Sequence, residues 1–599
     1  MDTENKIIVL DFGSQYTHLL ARRVRDLNVY SEIMAPTALA DELKKAKGII
    51  LSGGPQSVYA KDAVAFNPEI FSLEIPVLGL CYGQQLIAHE LGGKVEPGET
   101  KEYGTAKLVA EESELFNRVP KEFTAWMSHG DKVKELPIGF TQIGSTNDCE
   151  YAAIMDDEKR IFGLQFHPEV THTENGLQII SNFVFDVCNC EKNWTMQNFL
   201  GEKIESIKKE AGDKNVFLLL SGGVDSTVCL ALLDKAIGSE RIHALHVDTG
   251  FMRKGESAFV KTELEKLGIN EVHVADAEEE FLKKLKGIYD PEEKRQIIGK
   301  LFVEIAMQEI ENMNFDTETW LLGQGTIYPD TIETGGTENA KKIKTHHNRA
   351  PIIMEMIEKG NVIEPLNQLY KDEVRELGKL LGLPENLVER HPFPGPGTAI
   401  RILCSNGKEK IDEALEKKII KVAKEDGFEA KLLPVKAVGV QGDNRTYSNA
   451  VVLEGTLDYS ALENASTKIT NKFTSVNRVV FLLRPRGIDS LELKEAYLTK
   501  DRIEILKEAD AIAMETIKER GLLHEIWQFP VVLLPVDFNG KGQGIVLRPV
   551  YSKEAMTAKF AKLGPSVLEE MVEKIKAIKG VGAVMLDITH KPPATIEWE

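Results

Sequence analysis

The chain has 599 residues, 42% of them hydrophobic and 28% charged, with a formal charge of −20. So much apolar material supports several cores, roughly one per 150 residues or about four in all, and excludes a disordered, collagen-like or disulfide-stapled protein. The acidic balance disfavours a polyanionic partner, so no nucleic acid is expected, while one glycine-rich loop can hold a small phosphate whatever the global charge.

Cys81, Cys149, Cys188, Cys190, Cys229 and Cys404 fall in no disulfide framework, and no second Cys pair or His pair completes a zinc site around Cys188 and Cys190. Nothing resembles a secretory leader, and no apolar run reaches about 18 residues. A cytoplasmic protein that does not enter a membrane is expected.

In the first third, KIIVLDFG (6–13), GIILSGG (48–54), VLGLCYG (77–83) and IFGLQFHPE (161–169) read as strands, with helices over 17–26 and 84–91. A second series begins at VFLLLSGGVDSTVCLALLDKA (216–236) and continues through IHALHVDTG (242–250), VHVADA (272–277) and TWLLGQGT (319–326). The expected class is α/β, with two doubly wound, mostly parallel domains over 1–190 and 200–395, whose ligands sit at the carboxyl ends of strands. HPFPGPG (391–397) then interrupts regular structure. Beyond it, KLLPVKAVGVQGDNRTYSNAVVL (431–453) is similar to VLLPVDFNGKGQGIVLRPV (532–550), and each is followed by helix-like text and a closing strand, SVNRVVFLL (475–483) or GVGAVMLDI (580–588). Two related α+β subdomains over 396–490 and 491–599 are expected, with chance likeness of apolar strands as the alternative.

Cys81 stands where an apolar strand turns into a helix, which aims its sulfur at helical N–H groups and favours thiolate, although a lone Cys after a strand is also a common inert core residue. His167 and Glu169, in a Pro-fixed His-Pro-Glu turn, are suited to orient an imidazole toward that thiol and a carboxylate toward the imidazole. The glycine loop Ser52-Gly53-Gly54-Pro55 offers an N–H that, with that of Tyr82, can hold an oxyanion.

The ordered set GGP, GLCYGQQ and QFHPE resembles the class I glutamine amidotransferase domain. The resemblance implies that Cys81 attacks the glutamine side-chain amide, His167 shuttles protons and Glu169 orients His167. It also points to Gln85 and Asp131 as contacts for glutamine or supports of such contacts, while Asp131 reads equally as a turn carboxylate.

Ser221-Gly222-Gly223-Val224-Asp225-Ser226 lies between a strand and a helix, with the glycines, hydroxyls and helix N-terminus of a phosphate cradle. It lacks the Gly-Lys-Ser/Thr ending of a Walker loop and resembles the pyrophosphate loop of N-type ATP pyrophosphatases. Asp225 is a candidate Mg²⁺ ligand, although a carboxylate is favourable at a helix N-terminus without any metal.

EKRQIIG (293–299), GQGTIYPD (323–330), the basic KIKTHHN (342–348), HPFPGPG, GVQGDNR (439–445) and the terminal KPPATIEWE (591–599) follow in one order. With the amidotransferase motifs they resemble the glutamine-hydrolysing GMP synthetases over essentially the whole chain, in a longer, eukaryotic-like form with a duplicated C-terminal part. The resemblance implies glutamine, ATP and XMP as substrates, Mg²⁺ with ATP, and Arg295, Arg445, Gln528, Lys591, Thr595 and Glu597 as XMP contacts. Arg445 reads equally as a partner of Asp443. Because the extra copy can occupy a partner's surface, the chain is expected to be a monomer or a homodimer. A tRNA-modifying adenylase and an inactive binding module are the competing classes; the first lacks a basic surface, and the intact Cys81, His167 and Glu169 set opposes the second.

Overall fold

In a computed structural model describing residues 5–61, 63–266, 268–269, 272–312, 319–335, 359–441, 444–552 and 557–599, the short apolar runs become strands, most of them buried on both faces, though Val272–Asp276 is partly exposed. The chain divides into two compact units, Met1–Lys203 and Ile204–Glu599.

The first unit is built on a nine-stranded sheet of β1 (Lys6–Leu10), β2 (Tyr30–Met34), β3 (Gly48–Leu51), β4 (Val77–Leu80), β5 (Lys94–Ala110), β6 (Glu122–Glu135), β7 (Thr141–Ser145), β8 (Ala153–Asp156) and β9 (Ile161–Leu164). Its order is β2-β1-β3-β4-β9-β8-β7-β5-β6. Alternation sends Ile7, Val9, Ile50, Leu78 and Leu164 to one core and Ile8, Leu10, Ile49, Leu51 and Val77 to the other, as a two-sided sheet requires. The half containing β2, β1, β3, β4 and β9 is parallel. From β9 to β6 the pairings are antiparallel, a departure from the mostly parallel sheet expected here. The short β8–β9 link leaves no room for a crossover, so those strands must pair as a hairpin.

In the second unit, β10 (Asn215–Leu219), β11 (Ile242–Asp248), β12 (Val272–Asp276), β13 (Trp320–Gly323) and β14 (Val362–Ile363) form an all-parallel sheet in the order β12-β11-β10-β13-β14. This is a doubly wound order whose direction of winding reverses beside β10, so the crevice at its carboxyl end is the natural ligand position.

The C-terminal region contributes one seven-stranded sheet: β15 (Glu429–Gln441), β16 (Asn444–Glu454), β17 (Val476–Arg484), β18 (Leu491–Leu493), β19 (Val531–Phe538), β20 (Gln543–Leu547) and β21 (Val581–Asp587), ordered β15-β16-β17-β21-β20-β19-β18. Each half is an antiparallel hairpin followed by a helix and a parallel strand, and the halves meet where β17 pairs antiparallel with β21. One apolar core joins this sheet to the doubly wound one, since Phe217, Leu245 and Leu322 belong with Leu432, Val451, Leu533 and Leu586. On the other face, the fully buried Trp598 of the C-terminal tail packs with Leu433, Val452 and Val546.

At the β17–β21 junction sits a charge cluster closed to solvent. Asp587 accepts from Arg478 Nη1 at 3.1 Å, Arg548 Nη1 at 2.8 Å and Trp598 Nε1 at 2.9 Å. Burial alone would push the Asp587 carboxyl up, but Arg548 and Arg478 hold it below the usual carboxylate range. Its contribution to stability is therefore complete above about pH 3.9, the unfolded value, and is lost as the pH falls further. Asp587→Ala strands two buried guanidinium groups and is expected to cost about 3–5 kcal/mol. Denaturant unfolding at pH 7 checks this; a loss under about 1 kcal/mol, the size of an exposed pair, would contradict the assignment.

Candidate active site

The first constellation grows out of the turn after β4. Cys81 has φ 53° and ψ −103° and caps the helix Tyr82–Glu90, a left-handed conformation that throws the side chain outward from the strand end. Glycine on either side makes the turn possible. A Cβ on Gly79 would lie 2.5 Å from the Gly83 backbone, and one on Gly83 would lie 2.6 Å from the Leu51 carbonyl oxygen. The Cys81 N–H donates to the Leu164 carbonyl at 2.7 Å, tying the turn to β9.

Beyond β9, the buried His167 imidazole faces the Cys81 thiol and, through Nδ1, bonds Glu169 Oε1 at 2.7 Å. Burial opposes charge on the imidazole, yet the Glu169 carboxylate and the hydrogen bond to Cys81 outweigh it and push His167 up to about 10. The ring is fixed by the His167 N–H, which donates to the Trp126 carbonyl at 3.0 Å, and by the edge-on Tyr16 ring at 5.1 Å. Gly54 lies against Tyr82: a Cβ there would stand 3.1 Å from Tyr82 Cγ, so the two residues expected to supply oxyanion N–H groups are neighbours.

Gln85 and Asp131 also come to this site. Gln85 Nε2 donates to the Asp131 carbonyl at 2.8 Å and to Gln165 Oε1 at 3.1 Å, while Ser57 Oγ donates to the Asp131 carboxylate. The Cys81 thiol donates to the Ser128 carbonyl at 3.6 Å. Gln85 thus braces the 128–131 segment beside the thiol.

The second constellation lies at the reversal point of the doubly wound sheet. After β10 the chain turns through Gly222, at φ 77°, into the helix Val224–Ile237. Ser221 Oγ and Ser226 Oγ are 3.1 Å apart, and Ser226 and Thr227 hydroxyls donate to the Gly223 carbonyl. A Cβ on Gly325, just beyond β13, would sit 2.9 Å from Ser226 N, so only glycine lets that segment approach the loop. Lys371 pairs with Asp225 Oδ2, while Asp225 Oδ1 is buried without a hydrogen-bond partner among the described residues. That orphaned anionic oxygen fits a cation ligand. Arg390 Nη1 donates to the Gly222 carbonyl at 3.0 Å and its guanidinium also pairs with Glu256.

The tail forms the third. Val440 N–H donates to the Pro593 carbonyl at 2.7 Å and Val438 N–H to the Trp598 carbonyl at 2.8 Å, so the last residues run beside β15. Glu597 is gripped by the buried Arg401 through two bonds of 2.9 and 3.1 Å, and accepts from Gln528 Nε2 at 3.3 Å. Thr595 Oγ1 donates to the Val438 carbonyl at 3.0 Å and accepts from Arg478 Nη2 at 2.8 Å. Arg295 donates to the Glu599 carbonyl, and the fully buried Lys294 pairs with the Glu599 carboxylate. Lys591 bridges to Ala558 at the start of the tail. Arg295, Gln528, Thr595 and Glu597 therefore all bear on the last five residues. Asp443, the Arg445 side chain and the basic 341–348 segment lie outside the described residues.

Lys371, Arg390, Lys294 and Arg401 were not singled out by the sequence. Arg401 had a signal, an arginine inside the apolar text GTAIRIL, because such a charge is stable only when paired.

Residues 8–187 match the class I glutamine amidotransferase model, 195–299 the NAD synthase model and 515–598 the GMP synthase C-terminal domain model. A "Probable GMP synthase [glutamine-hydrolyzing]" of Leptospira interrogans is 44% identical over 100% of both chains. The chain belongs to the GMP synthase family. An Enterococcus faecalis GMP synthase is 39% identical, covering 99% of this chain and 98% of its own. The Aquifex aeolicus GMP synthase is 46% identical over 81% of this chain and 99% of its own, so this family member carries segments that the shorter relative lacks.

The raised His167 value carries a sign. Its stabilising contribution is complete below about pH 6.5, the unfolded value, and is lost as the pH rises through about 10. In Glu169→Gln the imidazole is expected to titrate at lower pH and this alkaline loss to move down with it. NMR titration of labelled histidine reads the first and unfolding midpoints against pH the second; an unmoved imidazole would contradict the role of Glu169.

Proposed function

We propose that the chain converts XMP to GMP with nitrogen taken from glutamine. In the first unit, Cys81 sulfur attacks the side-chain amide carbon of glutamine. The Gly54 and Tyr82 N–H groups hold the resulting oxyanion, and His167, kept cationic by Glu169, gives its proton to the departing ammonia. Water then releases glutamate from the thioester, with His167 as base. Gln85 and Asp131 shape the glutamine pocket.

In the second unit, Ser221, Gly222, Gly223, Val224, Asp225 and Ser226 cradle ATP phosphates. The XMP C2 oxygen attacks the α-phosphorus, pyrophosphate leaves, and ammonia displaces AMP at C2 to give GMP. Asp225, with its free buried oxygen, would hold Mg²⁺, which when bound offsets phosphate charge. Lys371 and Arg390 add positive charge at the loop. Arg295, Arg445, Gln528, Lys591, Thr595 and Glu597 form the XMP end of the site. Glu597 and Thr595 act there from fixed positions, since Arg401 and Arg478 hold them.

The mirrored halves of the C-terminal sheet support two related copies, 396–490 and 491–599, beyond an amidotransferase domain over 1–190 and an adenylating domain over 200–395. Because β17 pairs with β21 of the same chain, that edge is filled internally, which favours a monomer over a homodimer built on it. The six free cysteines accord with a reducing cytoplasm, and no helix among the described residues is long and apolar enough to cross a membrane.

The observation carrying the proposal is the joining of the Cys81, His167 and Glu169 set to glutamine-hydrolysing relatives over the full chain. Cys81→Ala is expected to lower glutamine-dependent synthesis at least about 10³-fold and leave ammonia-dependent synthesis intact. Equal loss of both would contradict separate sites. Asp225→Ala is expected to abolish synthesis with either nitrogen source while glutamine hydrolysis persists. Normal pyrophosphate release by that variant would remove Asp225 from the ATP site.

A further inference from the structure

Glu102, His129 and Cys149 bring their donor atoms within 4.8 Å of one another, all buried. Glu102 on β5 stands directly opposite His129 on β6, just after a register shift. His129 Nδ1 is 2.9 Å from the Asp131 carbonyl oxygen and Nε2 is 3.0 Å from Glu102 Oε2. Thr146 Oγ1 donates to Glu102 Oε1 at 3.0 Å.

A carbonyl oxygen only accepts, so Nδ1 must carry a hydrogen, and a second proton must lie between Nε2 and Oε2, where two lone pairs would otherwise repel. The pair thus holds a shared proton, and both ring nitrogens and both carboxylate oxygens are satisfied by hydrogen bonds. That makes it a clamp on backbone in preference to an open metal cage. The clamped carbonyl, that of Asp131, is also the acceptor for Gln85, three residues beyond the Ser128 carbonyl that meets Cys81 sulfur.

We propose that Glu102 and His129 are positioning residues for glutamine: their shared-proton pair fixes the 128–131 backbone against which the substrate side chain is aligned beside Cys81. This rests on the glutaminase reading above. Neither residue touches the reacting atoms. Their effect reaches the chemistry through the Asp131 carbonyl and Gln85, so loss of the pair weakens substrate alignment while leaving Cys81, His167 and Glu169 in place.

The test uses the full chain, with glutaminase activity and synthesis from glutamine or ammonium measured side by side. Glu102→Ala and His129→Ala are each expected to raise KM for glutamine about tenfold or more, with a smaller change in kcat and ammonium-dependent synthesis unchanged. The double variant is expected to be no worse than either single one, since both remove the same clamp. Glu102→Gln keeps a donor toward Nε2 and an acceptor for Thr146, and is expected to restore KM to within about threefold of the parent.

Glu102→Gln as impaired as Glu102→Ala would overturn the proposal, as would a normal KM in both alanine variants. A parallel fall in ammonium-dependent synthesis would also overturn it, since that marks general damage. So would a stoichiometric metal released by Cys149→Ser, which would make the cluster a metal centre. A parent enzyme without glutaminase activity overturns this inference together with the reading beneath it, whereas an active parent with indifferent variants overturns this inference alone.

Discussion

Both reaction centres depend on the same backbone constraint, a parallel strand that must turn at once into a helix. At Cys81 the turn forces a non-glycine residue to φ 53° and is possible only because Gly79 and Gly83 leave no Cβ between strand and helix. At Ser221 the turn passes through Gly222 at φ 77°, and Gly325 lets the neighbouring strand end close on it. In each case a helix N-terminus, with its N–H groups, follows the turn, which on the proposed reading is where negative charge is held, an oxyanion at one and phosphates at the other. Chemistry differs between the sites because a thiol occupies one turn and serines and a carboxylate the other.

Around these turns, buried charge is tolerated only where it is matched. Glu169, 2.7 Å away, keeps the buried His167 imidazole cationic against the cost of burial, which in the proposed mechanism supplies the proton for the departing ammonia. The tail follows the same rule: Arg401 holds Glu597, Lys294 holds Glu599, and Arg478 and Arg548 share Asp587. A chain end is ordinarily frayed. Here residues 594–599 are tied by charge and by the buried Trp598, so that on the proposed reading Thr595 and Glu597 act from fixed positions.

The strands flanking both centres were legible because a strand buried on both faces must be apolar at every position, as in KIIVL and VFLL. β5 and β6 were not, since their outward positions are polar and Val109 is among the exposed apolar residues, so local text carries no continuous signal. Residue type and position drew attention to Cys81, His167, Glu169 and the SGGVDS loop, and the structure places His167 between Cys81 and Glu169, whereas the roles given to them came from the family resemblance. Lys371 was not legible, because its partner Asp225 is 146 positions away and only the fold brings them together. The likeness of the 431–453 and 532–550 segments was visible in the text, whereas the fact that the two halves join edge to edge in one sheet through β17 and β21 was not: strand pairing over such separation has no local signature.

The central claim is that nitrogen freed at Cys81 is consumed at the loop following β10. Glutamine labelled with ¹⁵N at the side-chain amide, supplied with XMP, ATP and Mg²⁺ and unlabelled ammonium at a concentration too low to compete at neutral pH, tests it by mass analysis of the product. The account predicts guanylate carrying ¹⁵N at its 2-amino group, with one AMP and one pyrophosphate formed for each. Release of AMP and pyrophosphate without labelled guanylate would contradict it.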